Sequence, residues 1–317
     1  MVRDRLRRPV VVAVADADPT DDAVEWAAAE AAARAAPLVV VHVVRTTPMW
    51  DAGVLVPLPV GCWAVQPSGR EVLAVAVERA RAVAAEVVPT GRLLCGAPVR
   101  ALLEQSRDAG LLVLGGSGAA VCRCSAWSLS ARVAARASCP VAVVRSRPRV
   151  RTGAARPRVV VGVGTARCAP ATLEFAFRAA GRRGVPLLAV HAWDGDAPAD
   201  LEGVCGPPSL GEAAAGDALD RTLGPWRRRF PEIPVEPRLV RADPVTALLA
   251  ESAGAALVVV GSRGRLPVPF GGSVGRALLQ RSAAPAVVVR TDRAGRVDAG
   301  TSRPAGGVAA PPTSAAG

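Results

Sequence analysis

The sequence predicts an α/β protein made of two tandem, open, five-stranded parallel-sheet domains with a Rossmann-like architecture. Two observations carry this prediction: short aliphatic runs alternate with segments of helical length, and the second half of the 317-residue chain repeats the order of the first. Strands of a parallel sheet that is covered by helices on both faces are continuous hydrophobic runs. Half of the residues are hydrophobic and only 3% are aromatic, which favours layers of small aliphatic side chains.

The duplication is visible at four predicted strands in each half. The matched segments are 10–15 with 159–163, 37–42 with 186–191, 111–118 with 257–264, and 139–145 with 284–290. Equivalent residues lie between 145 and 149 positions apart. One fold therefore occurs twice, and each copy is predicted to be a β-α-β-α-β-α-β-α-β unit. Right-handed crossovers place helices on both faces of such a sheet, and ligands bind at the carboxyl ends of its strands.

Composition predicts the segments that surround these units. The predicted organisation is a first domain over 1–145, an Arg- and Pro-rich linker over 146–157, a second domain over 158–290 and a disordered tail over 291–317. Within the two domains, Pro- and Gly-rich loops are predicted over 45–69 and 193–208. The tail contains mostly Gly, Ala, Pro and Ser and has little to bury, which is typical of disorder.

Several classes of protein are disfavoured by the sequence. The longest apolar runs, such as 37–44 and 255–260, are too short to cross about 30 Å of hydrocarbon, and the N-terminus lacks a signal-peptide pattern, so we expect no membrane span and a cytoplasmic protein. The net charge of +12 comes from arginines spread over both halves, so nucleic-acid binding is not predicted. Seven scattered cysteines do not suit a disulfide framework and predict reduced thiols.

Four groups of residues together resemble the universal stress protein family, over residues 9–145 and 158–290. They are a first strand ending in Asp, a Val-His strand, a Gly-x-x-Gly loop that leads to a Gly-Ser helix start, and a Cys-Pro-Val final strand. The resemblance implies an adenine nucleotide alpha hydrolase-like fold. It also implies that in ATP-binding members the Asp and the residue after the strand His contact the nucleoside, while the glycines and the Ser hold the phosphates. Glycines do let backbone N–H groups approach an anion, and a helix N-terminus attracts negative charge.

Each half keeps a different part of this set. In the first half the resemblance assigns nucleotide contacts to Asp16, Val43, Gly115, Gly118 and Ser128, but Trp127 stands where the last glycine belongs. In the second half it assigns them to Ala192, Gly261, Gly264, Gly272 and Ser273, but Gly164 stands where the Asp belongs. An indole at Trp127 would fill the space of a phosphate. We therefore expect ATP or a related nucleotide, with an accompanying Mg²⁺, mainly in the second half.

The residues do not predict an enzyme. His42 and His191 are the only histidines, one in each half, so no histidine triad is available within a half. A phosphate-transfer loop uses a Lys beside the phosphates, and the chain has no Lys. The resemblance therefore implies a stress-response regulatory module that binds a nucleotide. The alternative is a nucleotide-free scaffold in which Asp16 only caps a helix and both histidines are structural.

The last strand of each half predicts how the halves assemble. The exposed edge of a sheet presents unpaired N–H and C=O groups, and the edges here are Val141–Val144 and Ala286–Val289. Family members resemble one another in dimerising through their final strands. Antiparallel pairing of these two segments within one chain would cover both edges and create a pseudo-twofold axis. Further association into a homo-oligomer is compatible with this arrangement but is not required by it.

Overall fold

The description rests on a computed structural model of the chain. The residues that it describes are 8–15, 21–45, 49–51, 54–56, 60–116, 129–145, 157–164, 170–193, 208–263 and 274–291. In the first half these ranges contain the strands β1 (Val10–Val14), β2 (Leu38–Val44), β3 (Met49–Asp51), β4 (Val54–Val56), β5 (Pro89–Cys95), β6 (Leu111–Gly116) and β7 (Val141–Arg145) and the helices α1 (Asp21–Arg34), α2 (Val60–Val83), α3 (Pro98–Gln105) and α4 (Leu129–Ala134).

Apart from β3 and β4, the described elements of the second half repeat this order. Its strands are β8 (Val159–Gly162), β9 (Leu187–Trp193), β10 (Val235–Arg241), β11 (Leu257–Arg263) and β12 (Ala286–Thr291), and its helices are α5 (Pro170–Arg183), α6 (Pro208–Arg229), α7 (Pro244–Ser252) and α8 (Val274–Arg281). The alternation of strand and helix predicted from the sequence is therefore confirmed.

Ten strands form one sheet in the order β5-β2-β1-β6-β7-β12-β11-β8-β9-β10, and β3 pairs with β4 in a separate hairpin. Each half contributes five strands to the large sheet, and the strands within a half are parallel. The sheet thus confirms the α/β class with parallel sheets.

The two sheets join through their last strands. Strand β7 pairs antiparallel with β12, in a register that sets Ala142 opposite Val287 and Val141 opposite Val288. We call this β7–β12 pair the seam. Across it, Arg290 donates from Nη1 to the carbonyl oxygens of Arg136 and Ala137 at 2.9 and 3.1 Å. The predicted antiparallel pairing of the final strands within one chain is confirmed.

Small aliphatic side chains fill both faces of the sheet. The layer on one face is formed with α1, α2, α5 and α6, and the layer on the other with α3, α4, α7 and α8. Both layers run through the two halves. Strands β1, β7 and β8, which lie inside the sheet, are buried on both faces, as continuous Val and Leu runs predict.

Two segments differ from the predicted loops. The hairpin β3–β4 and the start of α2 lie within 45–69, where Pro and Gly favoured a loop. The reason is visible at Gly69, where a Cβ would lie 2.9 Å from Leu93 Cδ1 and 3.2 Å from the His42 ring. This glycine permits a close approach of α2 to the sheet rather than ending a helix. Strand β12 also extends to Thr291, one residue into the predicted tail. The rest of the tail and the linker residues 146–156 lie outside the described residues.

The expectation of reduced thiols is wrong for Cys95 and for the cysteine that it pairs with. Cys95 at the end of β5 is disulfide-bonded, whereas Cys139 is a free and buried thiol. Burial raises the pKa of Cys139 to about 12, so this thiol is unreactive as a nucleophile. No helix within the described ranges is long and apolar enough to cross a membrane.

Candidate functional site

In each half, the order of the strands creates a place at their carboxyl ends where a ligand can bind, and these two places are equivalent. From β1 the chain continues to β2 and β5 on one side and then returns to β6 on the other, so the carboxyl ends of β1 and β6 flank a topological switch point. The ends of β8 and β11 flank the same point in the second half. Open α/β sheets bind ligands at this place.

The structure places four of the predicted contacts on strands at these edges. Val43 on β2 and Gly115 on β6 are partly buried on either side of β1. Ala192 on β9 is partly buried and Gly261 on β11 is exposed, on either side of β8. The strands therefore bring Ala192 and Gly261 to the edge at which the sequence predicts a nucleotide. The other predicted contacts lie outside the described residues, and these are Asp16, Gly118, Ser128, Gly264, Gly272 and Ser273.

Gly164 stands at the position where the resemblance expects an Asp in the second half. It follows β8 and is exposed. A Cβ built on Gly164 would have no atom within 4 Å, and its backbone does not have a positive φ. A larger side chain therefore fits at this position without strain. The packing around Gly164 therefore leaves room for an Asp, and lack of space does not explain why the carboxylate is absent.

Each histidine ties the second strand of its half to the end of the first. The His42 Nδ1–H donates to the carbonyl oxygen of Val14 at 3.1 Å, and the His191 Nδ1–H donates to that of Val163 at 2.7 Å. A carbonyl oxygen only accepts, so Nδ1 carries the hydrogen in both rings. Both rings are buried. This geometry supports the structural interpretation of the histidines, since the bond fixes the two strands that border the candidate site.

We expect the neutral rings of His42 and His191 to be the Nδ1–H tautomers. Long-range ¹H–¹⁵N correlation spectra of the protein above pH 8 should show a pyrrole-like Nδ1 and a pyridine-like Nε2 in each ring. The minor tautomer would lose the bond to the strand carbonyl and leave a buried acceptor unpaired. An Nε2–H ring at either position would contradict the tautomer assignment.

A small cleft lies beside His191 that the sequence did not reveal. Its walls are Val163, Gly164, His191, Ala215, Ala218, Leu219 and Thr222. The His191 Nε2 atom is buried and has no hydrogen-bond partner among the described residues, while the Thr222 hydroxyl donates to the Ala218 carbonyl oxygen at 2.7 Å. The small residues Ala215 and Ala218 stand three apart on one helix face, and that spacing is the signal that could have located the cleft.

The cleft and Ala192 lie on opposite faces of the sheet. Ala192 packs with the layer that contains α7 and α8, whereas the cleft is lined by α6, and neighbouring residues of a strand point to opposite sides. The cleft offers the His191 ring nitrogen and the Thr222 hydroxyl oxygen in otherwise apolar walls, which suits a water-sized polar group. No three His, Cys, Asp or Glu side chains among the described residues lie close enough to hold a metal ion.

The second half also has a guanidinium–indole pair at its outer edge. Arg241 ends β10 directly opposite Trp193 of β9, and its Cζ lies 5.8 Å from the centroid of the indole. The matching pair in the first half is Cys95 opposite Val44. The two edges therefore differ in chemistry at this position, where the second half pairs an arginine with an aromatic ring.

Comparison with known proteins agrees with this architecture. The Universal stress protein family profile matches residues 7–145 and again residues 156–290. A universal stress protein of Mycobacterium tuberculosis is 36% identical over 300 residues, which cover 92% of this chain and 99% of that protein. One from Mycolicibacterium smegmatis is 32% identical over 305 residues, which cover 92% and 99%.

The fold also matches a solved structure along most of the chain. The crystal structure of a universal stress protein from Archaeoglobus fulgidus superposes with a TM-score of 0.65 and 18% identity, over 90% of this chain and 97% of that one. The duplicated profile, the full-length relatives and the ten-stranded sheet lead to one conclusion. The chain belongs to the universal stress protein family and contains the family's domain twice.

Proposed function

We propose that the protein is a stress-response regulatory module that binds ATP or a related nucleotide at the carboxyl edge of the second half. The observation that carries this proposal is the exposed end of β11 at Gly261, beside β8 at the switch point of the second sheet. From there the sequence enters the Gly261-x-x-Gly264 motif that precedes Gly272, Ser273 and α8. Backbone N–H groups and the N-terminus of α8 suit the phosphates of such a ligand.

The proposal is for binding rather than catalysis. The sequence has no Lys to stabilise a transferred phosphoryl group, and both histidines use Nδ1 to join strands. An accompanying Mg²⁺ would be held mainly by the phosphates of the nucleotide and by water. We place the protein in the cytoplasm, with domains over 1–145 and 158–290, a linker over 146–157 and a tail that follows Thr291. Self-association into a homo-oligomer remains compatible with this arrangement.

Two measurements on the purified protein test the proposed function. Nucleotide released by denaturation should be identified by chromatography, and isothermal calorimetry should be run with millimolar ATP in the presence and absence of Mg²⁺. We expect one site for each chain. If no nucleotide is released and no heat of binding is measured, the proposal is wrong.

A nucleotide-free scaffold is the second candidate. It is favoured by the absence of a carboxylate at Gly164, where the residue that contacts the nucleoside would stand, and by Trp127 in the first half. Absence of nucleotide in both measurements above would favour this candidate.

Substitution of Gly164 tests whether position 164 contacts the nucleoside. Because a Cβ at this position meets no atom within 4 Å, we expect Gly164→Asp to fold normally and to bind ATP about tenfold more tightly, the order of one charge-assisted hydrogen bond. Gly164→Ala, which adds a Cβ without a carboxylate, is the matched control and should bind like the original chain. Equal ATP affinities of the two variants would show that position 164 does not contact the nucleoside.

A further inference from the structure

The two halves meet at a buried cluster of charged residues that lies beside the seam and away from the candidate site. Its members are Glu30 and Arg34 of α1 and Arg182 and Arg183 of α5, and we call these four residues the interdomain charge cluster. The side chain of Glu30 is 1% exposed, and those of Arg34, Arg182 and Arg183 are 9%, 17% and 19% exposed. The cluster therefore belongs to the contact between the halves.

A single carboxylate holds all three arginines. Glu30 Oε1 accepts from Arg34 Nε at 2.6 Å and from Arg182 Nη2 at 3.1 Å, while Oε2 accepts from Arg183 Nη2. Burial by itself would raise the pKa of Glu30, but the charges of Arg34, Arg183 and Arg182 hold the pKa of this carboxyl below its ordinary value. Burial, followed by the charge of Arg34, lowers the pKa of Arg182 to about 10. The cluster contains more positive charge than one carboxylate balances.

Two further contacts show that the surroundings of the cluster are symmetric. Arg34 Cζ lies 5.2 Å from the centroid of the Phe175 ring, and Arg183 Cζ lies 5.8 Å from that of Trp26. Arg34 is equivalent to Arg183, and Trp26 to Phe175, in the duplication. Each half thus places an arginine over the aromatic ring of the other.

Glu30 breaks this symmetry. Its equivalent in the second half is Ala179, and the residue equivalent to Arg182 is Ala33. The first half therefore brings the carboxylate to the contact, and the second half brings the extra arginine. The remaining acid of α5 near this face, Glu174, is already bonded to Arg178 and Arg229 of its own half.

Strands β7 and β12 are equivalent in a pseudo-twofold arrangement. The geometry of the seam therefore also shows which residues would meet if two second halves, or two first halves, paired with each other. A pair of two second halves would bring two copies of Arg182 and Arg183 together, with Ala179 in place of the carboxylate. Uncompensated buried charges of one sign are strongly unfavourable. A pair of two first halves would instead keep a Glu30 opposite each Arg34.

We propose that Glu30 determines the partner of the second half, whose Arg182–Arg183 surface can be covered only by a domain that carries a carboxylate at the position of Glu30. The first half of the same chain is that partner. The second half is thereby prevented from pairing with a second copy of itself through β12, and the sheet closes within the chain. This inference concerns assembly and does not depend on the proposed nucleotide site.

The first test uses intact chains. Glu30→Ala should shift the urea midpoint downwards, because it leaves three partly buried arginines without a carboxylate, and Glu30→Gln, which keeps the shape, should do the same. Adding Ala179→Glu to Glu30→Ala should recover part of the shift, since the mirror position faces Arg34 and Arg183. Arg182→Met is the matched control and should shift the midpoint less, because Glu30 keeps two partners. Failure of Ala179→Glu to recover any of the shift would overturn the proposal.

The second test measures partner choice. A protease site is inserted between β7 and β8, the full chain is purified and cut, and the association of the two fragments is measured. We expect Glu30→Gln to weaken this association about a hundredfold or more, as for the loss of one partner from a largely buried ion pair.

Two cut preparations whose second halves carry different C-terminal tags are then unfolded together, refolded and captured through one tag. The original sequence should yield no second halves with the other tag above background, while Ala179→Glu should yield them. Mixed second-half pairs from the original sequence would overturn the proposal. If the cut chains do not refold, the urea midpoints of the intact variants decide.

Discussion

A carboxylate introduced in the middle of the ten-stranded sheet is expected to unfold the protein more effectively than any other single change considered for this chain. Val287 lies at the seam, is 0% exposed, and stands opposite Ala142 of the other half. We expect Val287→Asp to lower the free energy of unfolding by about 5 kcal/mol or more at pH 7, since the introduced carboxyl must be buried without a partner or remain protonated at the cost of a pKa shift of several units. Urea unfolding followed by circular dichroism measures this loss.

A control and a pH series identify the cause. Val88→Asp introduces the same charge at a side chain that is 76% exposed, and it should change the free energy of unfolding by less than about 0.5 kcal/mol. Burial favours the protonated form of the introduced carboxyl, so its pKa rises on folding. The loss should therefore increase as the pH rises above about 4, the ordinary pKa of Asp. A loss similar to that of Val88→Asp would show that the seam is not buried in solution.

The sequence predicted most of the sheet because its strands carry their own signal. Runs such as Val10–Val14 and Leu257–Val260 are buried on both faces, and a parallel sheet covered on both sides gives aliphatic runs without polar alternation. The duplication then supplied the pairing of final strands, because two equal domains in one chain present two equal edges. That inference required no knowledge of side-chain contacts.

The long helix α2 was harder to predict. Pro67 and Gly69 interrupt its sequence, and such residues usually end a helix. The close contacts of Gly69 with Leu93 and His42 depend on residues far along the chain, so local propensity cannot reveal them. The start of the helix was missed because tertiary packing outweighed a local signal.

The candidate site was only partly predictable for a different reason. The resemblance located Ala192 and Gly261, and the strand order brings both to the switch point. The spacing of Ala215 and Ala218 indicates a helix face of small residues, but the space at Gly164 and the size of the cleft at His191 depend on the distance between α6 and the sheet, which the sequence does not record. The interdomain charge cluster joins Glu30 to Arg183 across 153 residues, and a pairing at that distance has no local signature.

Three aromatic residues of the second half form a cluster that joins α5 to the end of α6. Phe177 is 0% exposed, and its ring stacks on those of Trp226 and Phe230 with centroids 5.9 and 5.3 Å away. Trp226 and Phe230 also stack on each other at 6.2 Å. In a chain with 3% aromatic residues, this cluster gathers a large share of the bulky side chains at one helix–helix contact.

Removal of the central ring of this cluster should therefore be costly. We expect Phe177→Ala to lower the free energy of unfolding by about 3 to 5 kcal/mol, because it leaves a cavity and removes two aromatic contacts worth about 0.5 to 1.5 kcal/mol each. Phe177→Leu keeps most of the apolar volume and should lose about half as much, while Val75→Ala, at a side chain that is 59% exposed, should lose less than about 0.5 kcal/mol. Urea unfolding followed by tryptophan fluorescence measures the three variants. Equal losses for Phe177→Ala and Val75→Ala would show that α6 does not pack on α5 through these rings.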